Sequence, residues 1–172
     1  MSATPTAILY SANSGIPGDL NGVPGTTVES WVLNASTPPT AFGAPVKRVT
    51  NSGVTTISAI ESGDDATDFY GILSRSAPTV DGGTTIVNSG TPNPGTVSGV
   101  VVGGPGYILV ACTIGTPVRG GPVYMRVTAV GPAAVGDLEA TSASPNNVLL
   151  PNVVWAVDGK DSSNTTAVRV NS

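Results

Sequence analysis

Short runs of alternating or continuous apolar residues recur along the chain from about residue 28 onward. β-Branched and aromatic residues dominate these runs, and Gly, Pro, Asn and Asp separate them. No window shows a capped run of ten or more residues with the i, i+3, i+4 apolar spacing of an amphipathic helix. The pattern therefore predicts strands at 28–33, 45–49, 54–60, 69–74, 84–87, 97–102, 107–112, 123–130, 137–140, 148–157 and 167–170.

The alternation within a strand predicts which of its sides is buried. In the strand at 123–130, Val123, Met125 and Val127 are apolar and Arg126 faces the other way, which is typical of a half-buried strand with one side in solvent. Residues 152–157 are apolar on both faces, so we expect a central strand or one that buries its second face against a neighbouring subunit. So many short strands in one chain predict a single all-β domain, either a barrel or a sandwich.

The first 26 residues lack this periodicity. Gly and Pro at 15–18 and 23–25 interrupt any strand or helix that could begin there. We expect residues 1–26 to form an extended N-terminal arm or a disordered terminus, and residues 27–172 to form the β domain. The arm has neither a basic stretch nor an apolar stretch of the length that a secretory signal needs. With a single cysteine the fold does not depend on disulfides, so assembly in the cytoplasm fits the sequence.

Charge argues against nucleic acid and membrane partners. Charged residues make up only 10% of the chain, against about a quarter in typical soluble domains. The net charge is −4, and the seven basic residues are scattered apart from the adjacent pair Lys47 and Arg48, so no patch matches a phosphate backbone or an acidic membrane. Residues 97–114 are apolar enough to suggest a membrane span, but the Gly/Pro run at 103–106 would break a helix there, so we predict two buried strands with a turn.

Candidate catalytic residues are few. The chain has no histidine, which removes the commonest general base and the Ser-His and Cys-His pairs. Cys112 lies in an apolar strand without a neighbouring base or positive charge, so we predict a small buried hydrophobe and not a nucleophile. Neither a phosphate-binding loop nor a dinucleotide fingerprint occurs. We therefore predict no catalytic residue, no cofactor site and no enzyme activity.

Two groups of carboxylates are candidate sites. Glu61, Asp64, Asp65 and Asp68 could hold calcium, but their spacing differs from that of calcium-binding loops, so we expect a solvated loop in which Asp64 or Asp65 caps a turn, and no metal. Asp137 and Glu139 leave a glycosidase formally open, although the aromatic residues that line sugar clefts are scarce. We expect this pair to keep a surface or a sheet edge soluble.

Six short motifs occur in one order along most of the chain, over about residues 20–171. They are FGAPV at 42–46, FYGIL at 69–73 followed by SRSAPT, GYILV at 106–110, GPVYMRV at 121–127, GDLEA at 136–140 and LPNVVW at 150–155. Together they resemble the structural cement, or capsid decoration, proteins of tailed bacteriophages. The resemblance implies a β-barrel or tulip-like domain bound in many copies to the outer surface of the capsid, with no catalytic residues.

The resemblance also implies partners. We expect the major capsid protein and further copies of this chain, as a homotrimer in preference to a dimer, with assembly in the bacterial host cytoplasm and bridging of neighbouring capsid subunits. Candidate interface residues are Ile16 and Leu20 in the arm, Trp31, Val153 and Trp155. The alternatives are another virion or appendage subunit, such as a head fibre base or a tail tube subunit, and a carbohydrate-binding module, which would need an exposed row of aromatic rings.

Overall fold

A computed structural model describes residues 16–75 and 91–171 as an all-β domain without helices. Ten of the eleven predicted strands are observed with ends shifted by a few residues, and the one at 84–87 lies outside the described residues. The strand at Leu20–Asn21 was not predicted. The strands are β1 (Leu20–Asn21), β2 (Thr27–Val32), β3 (Pro45–Asn51), β4 (Val54–Ala59), β5 (Gly71–Leu73), β6 (Val97–Gly103), β7 (Tyr107–Ile114), β8 (Pro122–Arg126), β9 (Leu138–Glu139), β10 (Asn147–Trp155) and β11 (Thr165–Val170).

Six strands form sheet A in the order β1-β7-β11-β10-β8-β9. The short strand β9 pairs antiparallel with β8 and parallel with β7, so β7, β11, β10, β8 and β9 form a closed ring. Closure removes the open edges that would otherwise be able to pair with other chains. Sheet A is therefore a small barrel, with β1 added along the first residues of β7.

Sheet B has the order β2-β6-β5-β3-β4. Its β3–β4 hairpin turns at Ser52 and Gly53, both with positive φ, as the tightest hairpin turns require. Beyond β2, Leu33 forms a parallel bridge with Ile57 of β4, and the Asn34 amide donates to the Ile57 carbonyl at 2.7 Å. The two edge strands thus meet at one end, so sheet B is rolled and stays open at the other end.

The two sheets are held together because β5 and β6 are buried on both faces. Ile72 and Val101 pack into the core of sheet A, whereas Leu73 and Val100 face a second core inside sheet B. All four side chains are buried, and each such burial stabilises the fold by about 1.5–3 kcal/mol. The predicted single all-β domain, a barrel or a sandwich, is confirmed, and it has features of both.

The apolar stretch at 97–114 forms two buried strands, as predicted, but they belong to different sheets. Gly104, with φ of 114°, lies in the connection from β6 to β7, and a Cβ atom there would be 2.4 Å from the Gly25 carbonyl oxygen. A side chain at this position would be both strained and blocked, so the glycine lets the chain pass between the sheets. Within residues 16–75 and 91–171, no helix is long and apolar enough to cross a membrane.

Part of the expected arm, residues 1–15, lies outside the described residues. The remainder is attached to the domain. The Gly18 amide donates to the Leu109 carbonyl at 2.7 Å, the Leu109 amide donates to the Asp19 carbonyl at 2.9 Å, and Leu20 pairs with Ile108. Residues 18–21 are therefore part of sheet A.

The predicted solvent side of β8 is wrong for Arg126, and the predicted surface position of Glu139 is wrong as well. Val123, Met125 and Val127 are buried as expected, but Arg126 is only 3% exposed and Glu139 is fully buried. The guanidinium donates from Nε and Nη2 to Glu139 at 2.6–2.8 Å, and Asn147 Nδ2 donates to the same carboxylate at 2.6 Å.

The reason lies in the loop after β9, which folds over the outer face of the barrel. Asn147 Nδ2 also donates to the Thr141 carbonyl at 2.9 Å, and the Ala143 amide donates to Asn147 Oδ1 at 2.7 Å. The loop thus removes from water a face that strand alternation assigns to solvent. Two opposite charges pair with each other there because neither could be buried alone.

We predict that Arg126→Met lowers the free energy of unfolding by about 3–5 kcal/mol, because it leaves the Glu139 carboxylate buried without its partner. The double variant Arg126→Met/Glu139→Met should lose much less than the sum of the two single variants. Urea denaturation of all four proteins in a double-mutant cycle measures the difference. Additive losses would contradict the coupling that this geometry implies.

Candidate interaction surface

The structure separates the five predicted interface residues into two groups. Val153 and Trp155 are each 1% exposed and belong to the core of sheet A, in the central strand β10. Ile16 is 41% exposed, Leu20 packs partly against the core, and Trp31 is half-buried at the edge of the sheet B core. Only Ile16, Leu20 and Trp31 thus have surface to offer without rearrangement, and the interface role of all five stays a prediction.

Trp31 belongs to a cluster at the open end of sheet B, which we call the sheet B mouth and define as Glu29, Trp31, Arg48 and Tyr70. Glu29 and Trp31 alternate along β2 on the face that continues inward to Leu33, and Arg48 follows Val46 in the same way on β3. Tyr70 is held beside them because its amide donates to the Val46 carbonyl at 2.8 Å. Strand alternation therefore brings four side chains from three segments to one place.

Hydrogen bonds and aromatic contacts order the sheet B mouth. The Trp31 Nε1 donates to Glu29 Oε2 at 3.0 Å, and the Tyr70 hydroxyl donates to the same oxygen. The two rings meet edge to face, with centroids 6.0 Å apart and planes at 85°. The Arg48 guanidinium lies 4.3 Å from the Tyr70 ring centroid and 5.9 Å from that of Trp31, within cation–π range. The perpendicular rings do not form the flat row expected of a carbohydrate-binding module.

The sheet B mouth also shifts two pKa values. Hydrogen bonds from Tyr70 and Trp31, with the charge of Arg48, lower the pKa of Glu29 below its ordinary value. Burial, followed by the hydrogen bond to Glu29, raises the pKa of Tyr70. At neutral pH the cluster therefore contains a carboxylate, a neutral phenol and a guanidinium. Such a group of Trp, Tyr and Arg has the composition of residues that dominate protein interfaces.

β2 is an edge strand of sheet B, and it extends this surface through what we call the β2 edge, defined as Ser30 and Val32 with Val97 of β6. The Leu33 amide donates to the Thr96 carbonyl at 2.9 Å, and because antiparallel pairing alternates, the backbone groups of Ser30 point away from β6. On the face opposite Trp31, Val32 and Val97 pair across the strands and are 41% and 64% exposed. The mouth and the β2 edge together offer aromatic, apolar and backbone hydrogen-bonding groups to a partner.

The acidic loop, residues 61–68, has its carboxylates engaged in turns. Asp64 accepts from the Glu61 amide at 2.7 Å, Asp65 accepts from the Thr67 amide at 2.7 Å, and Asp68 accepts from the Asp65 amide at 2.9 Å, so the predicted capping by Asp64 or Asp65 is confirmed. Lys47 binds Glu61 and Asp64 at 2.8 Å. Partial burial by itself lowers the pKa of Lys47, but these two carboxylates outweigh it and raise the pKa. Among the described residues no group of three His, Cys, Asp or Glu could hold a metal ion.

Cys112 is buried in β7, as predicted. Burial raises the pKa of its thiol, so the reactive thiolate is disfavoured at neutral pH. Its thiol donates to the Ile114 carbonyl at 3.4 Å. The residue fills the barrel core.

The sequence predicts Trp31 as an interface residue, but it does not indicate that Arg48, Tyr70 and Glu29 lie beside it. Tyr70 belongs to a predicted strand, Arg48 belongs to the adjacent basic pair with Lys47, and Glu29 is a single charge in β2. The available signal was the alternation of β2 and β3, which puts each charge on the same face as a core residue.

Comparisons with known proteins agree with this fold. The model of the XM1 gp53 minor capsid protein family matches residues 6–170. Among solved structures, a chain from the capsid of Myoviridae Phage XM1 is similar with a TM-score of 0.62 and 19% identity, covering 99% of this chain and 98% of that one. At this identity the likeness shows the fold alone. A comparison with curated proteins finds no match.

We predict that the indole N–H resonance of Trp31 shifts on acidification with a midpoint below the ordinary glutamate pKa of about 4.3. The pKa of Glu29 is lowered in the folded state, so the stabilisation it gives is present above the ordinary pKa and is lost as the pH falls through the lowered one. Two-dimensional ¹H–¹⁵N NMR follows the resonance. Glu29→Gln should abolish the transition, and the buried Trp155 resonance is the internal control. A Trp31 midpoint above the ordinary value would contradict the arrangement.

Proposed function

Since this chain belongs to the XM1 gp53 minor capsid protein family, a family of phage capsid structural proteins, we propose that it is a cement protein that binds the outer surface of the head in many copies. It bridges neighbouring capsid subunits through protein contacts and performs no catalysis. Its partners are the major capsid protein and further copies of itself, as a homotrimer, and it assembles on heads in the host cytoplasm. The observation that carries the proposal is the family match over residues 6–170, joined to the surface around Trp31.

The sheet B mouth and the β2 edge are the surface that we assign to the shell contact. Interfaces concentrate their binding energy in a few Trp, Tyr and Arg side chains surrounded by apolar contacts that exclude water. Trp31, Tyr70 and Arg48 supply the first kind, and Val32 and Val97 add apolar surface on the other face of the β2 edge. Hydrogen bonds to Glu29 hold the rings before binding, which reduces the entropy lost when the surface is covered.

Stabilisation of the shell then follows from mass action. A protein that binds the intact lattice and not its dissociated subunits lowers the free energy of the intact state by an amount that grows with its concentration relative to Kd. An oligomer that contacts several capsid subunits at once gains further affinity because the later contacts are intramolecular. Many weak contacts are thus sufficient, and no chemical step is needed.

We predict that Trp31→Ala reduces occupancy on purified heads lacking the protein by about tenfold or more in apparent affinity, the loss typical of an interfacial tryptophan. Heads are incubated with the variant, sedimented, and the ratio of bound protein to major capsid protein is measured. The temperature at which the heads release DNA should fall with occupancy.

Tyr124→Ala is the matched control, because Tyr124 is a half-buried aromatic residue on the barrel, away from the sheet B mouth. Arg48→Glu tests the same surface at an exposed position whose change spares the core. Circular dichroism and thermal unfolding confirm that each variant is folded. Wild-type occupancy of both Trp31→Ala and Arg48→Glu would exclude this surface as the shell contact.

We also propose that the first 15 residues contribute to shell binding, together with Ile16 and Leu20. We predict that deleting residues 1–15 lowers occupancy on heads and leaves the unfolding temperature of the free protein unchanged, since residues 18–21 and their bonds to β7 are retained. The sedimentation assay and a thermal melt measure the two effects. Equal occupancy of the shortened and full-length chains would show that the arm has no part in binding.

A further inference from the structure

Five of the seven basic side chains are engaged within the chain. Lys47 and Arg126 pair with carboxylates, Lys160 donates to the Cys112 carbonyl at 2.9 Å, Arg48 lies over Tyr70, and Arg75 lies 5.9 Å from the centroid of the Phe42 ring. Arg119 and Arg169 are the other two. Neither guanidinium has an ion pair or a hydrogen bond within residues 16–75 and 91–171.

Both of these arginines line one cavity, which we call the arginine cavity. It has a volume of about 620 Å³ and lies against the barrel wall, beside the last residues of β10, the last residues of β11 and the first residues of β7. Val154 pairs with Arg169 across the strands, and Gly120 donates its amide to the Trp155 carbonyl at 2.8 Å, which places Arg119 beside the end of β10. The main lining residues are Pro105, Tyr107, Arg119, Trp155, Val157 and Arg169.

The chemistry of the cavity selects an acidic ligand. No carboxylate lines it, although Asp158 is nearby and accepts from the Arg119 backbone amide at 2.8 Å. Guanidinium groups bind carboxylates with paired, charge-assisted hydrogen bonds. Trp155 contributes to the lining, but its side chain is buried in the barrel core, so the two arginines are the charged groups that a ligand can reach. A concave site with two uncommitted arginines, in a protein of net charge −4, fits a carboxylate-bearing segment.

A second copy of this chain carries such a segment. In the acidic loop, Asp65 and Asp68 are exposed, and each has only one carboxylate oxygen engaged in the hydrogen bonds of its turn. Hydrogen bonds from the Thr67 hydroxyl and amide lower the pKa of Asp65, so its charge is retained at neutral pH. Four carboxylates against the single Lys47 leave the loop with an excess of negative charge.

The acidic loop and Arg119, in the wall of the arginine cavity, lie beyond opposite ends of β8. Arg119 and Gly120 precede β8, whereas the Gly63 amide donates to the carbonyl of Val127, just after β8, at 3.2 Å. Five strand residues at about 3.3 Å each separate the two positions by about 17 Å. Within one chain this distance keeps Arg119 apart from the acidic loop, but between copies the loop and the cavity can meet head to tail, and a head-to-tail contact that closes on itself forms a ring.

We propose that the acidic loop of one copy, through Asp65 and Asp68, occupies the arginine cavity of the next copy. Repeated from copy to copy, this contact closes a ring of this protein. The inference rests on the proposed cement function, because a ring is the oligomer that presents several sheet B mouths to the shell at once. Opposite charges on the two ends also fix the order of the copies and disfavour contacts between like ends.

The test is self-association of the full chain, measured by sedimentation velocity over a range of concentrations. Both Arg119→Gln/Arg169→Gln and Asp65→Asn/Asp68→Asn should weaken association by about tenfold or more, and raising the ionic strength should weaken that of the wild type. Combining all four neutral substitutions should cost no more than either pair, because both pairs remove the same contact. Exchanging the charges, with Arg119→Glu/Arg169→Glu and Asp65→Lys/Asp68→Lys in one chain, should restore association.

Ala35→Glu/Val54→Glu is the matched control. Both residues are exposed, and the variant has the same net charge of −6 as the double Gln variant, from −4 − 2. It should associate like the wild type. Circular dichroism shows whether each variant is folded, and Asn retains the oxygen that caps the loop turns.

Three outcomes would overturn the inference. The first is a wild-type chain that is monomeric up to about 1 mM, and the second is double variants that associate like the wild type. The third is weaker association of the arginine variant alone, which would assign the cavity to an acidic segment of another protein. Occupancy on heads is measured in parallel. Rings that fail to bind heads would contradict the cement function and leave the ring contact standing, whereas monomers that bind heads fully would contradict the ring contact alone.

Discussion

β5 and β6 hold the two sheets together because both of their faces are buried. Ile72 and Val101 face the barrel of sheet A, while Leu73 and Val100 face the roll of sheet B, so neighbouring residues of two short strands belong to two cores. Neither sheet could be peeled away without exposing one of these rows. The two sheets therefore form one domain, although each has its own curvature and its own apolar interior.

This shared layer also decides where the molecule can make contacts. Sheet A closes into a ring through β9 and leaves little free edge, whereas sheet B meets itself only where Leu33 bridges Ile57. The open end of the roll is where Glu29, Trp31, Arg48 and Tyr70 come together, partly covered by the core and partly available. A closed barrel with an open, aromatic roll beside it is a shape suited to adhesion. The chain that has this shape belongs to a family of phage capsid structural proteins.

The chain has few charged residues, and their side chains differ in what they contact. In the barrel wall, Arg126 and Glu139 are buried together under the loop after β9, and through Asn147 they stabilise one conformation of that loop. At the mouth, Arg48 lies over aromatic rings. In the wall of the arginine cavity, Arg119 and Arg169 remain without partners in the described residues. Charged residues make up only 10% of the chain. Two arginines without partners therefore distinguish this surface more clearly than they would in a protein of ordinary composition.

The fold class, ten of the strands, the buried state of Cys112 and the capped turns of the acidic loop can be predicted from the sequence, because they follow from local alternation and turn chemistry. The order of the motifs also indicates phage capsid proteins, as the family match shows, whereas the interface role of Trp31 stays a prediction from residue type. Tertiary contacts, by contrast, bury Val153 and Trp155 in the core, bury Arg126 with Glu139, and bring Arg48 and Tyr70 beside Trp31. These outcomes depend on which strands become neighbours and which loop covers which face. Such contacts join residues distant in sequence, and alternation within one strand carries no information about them.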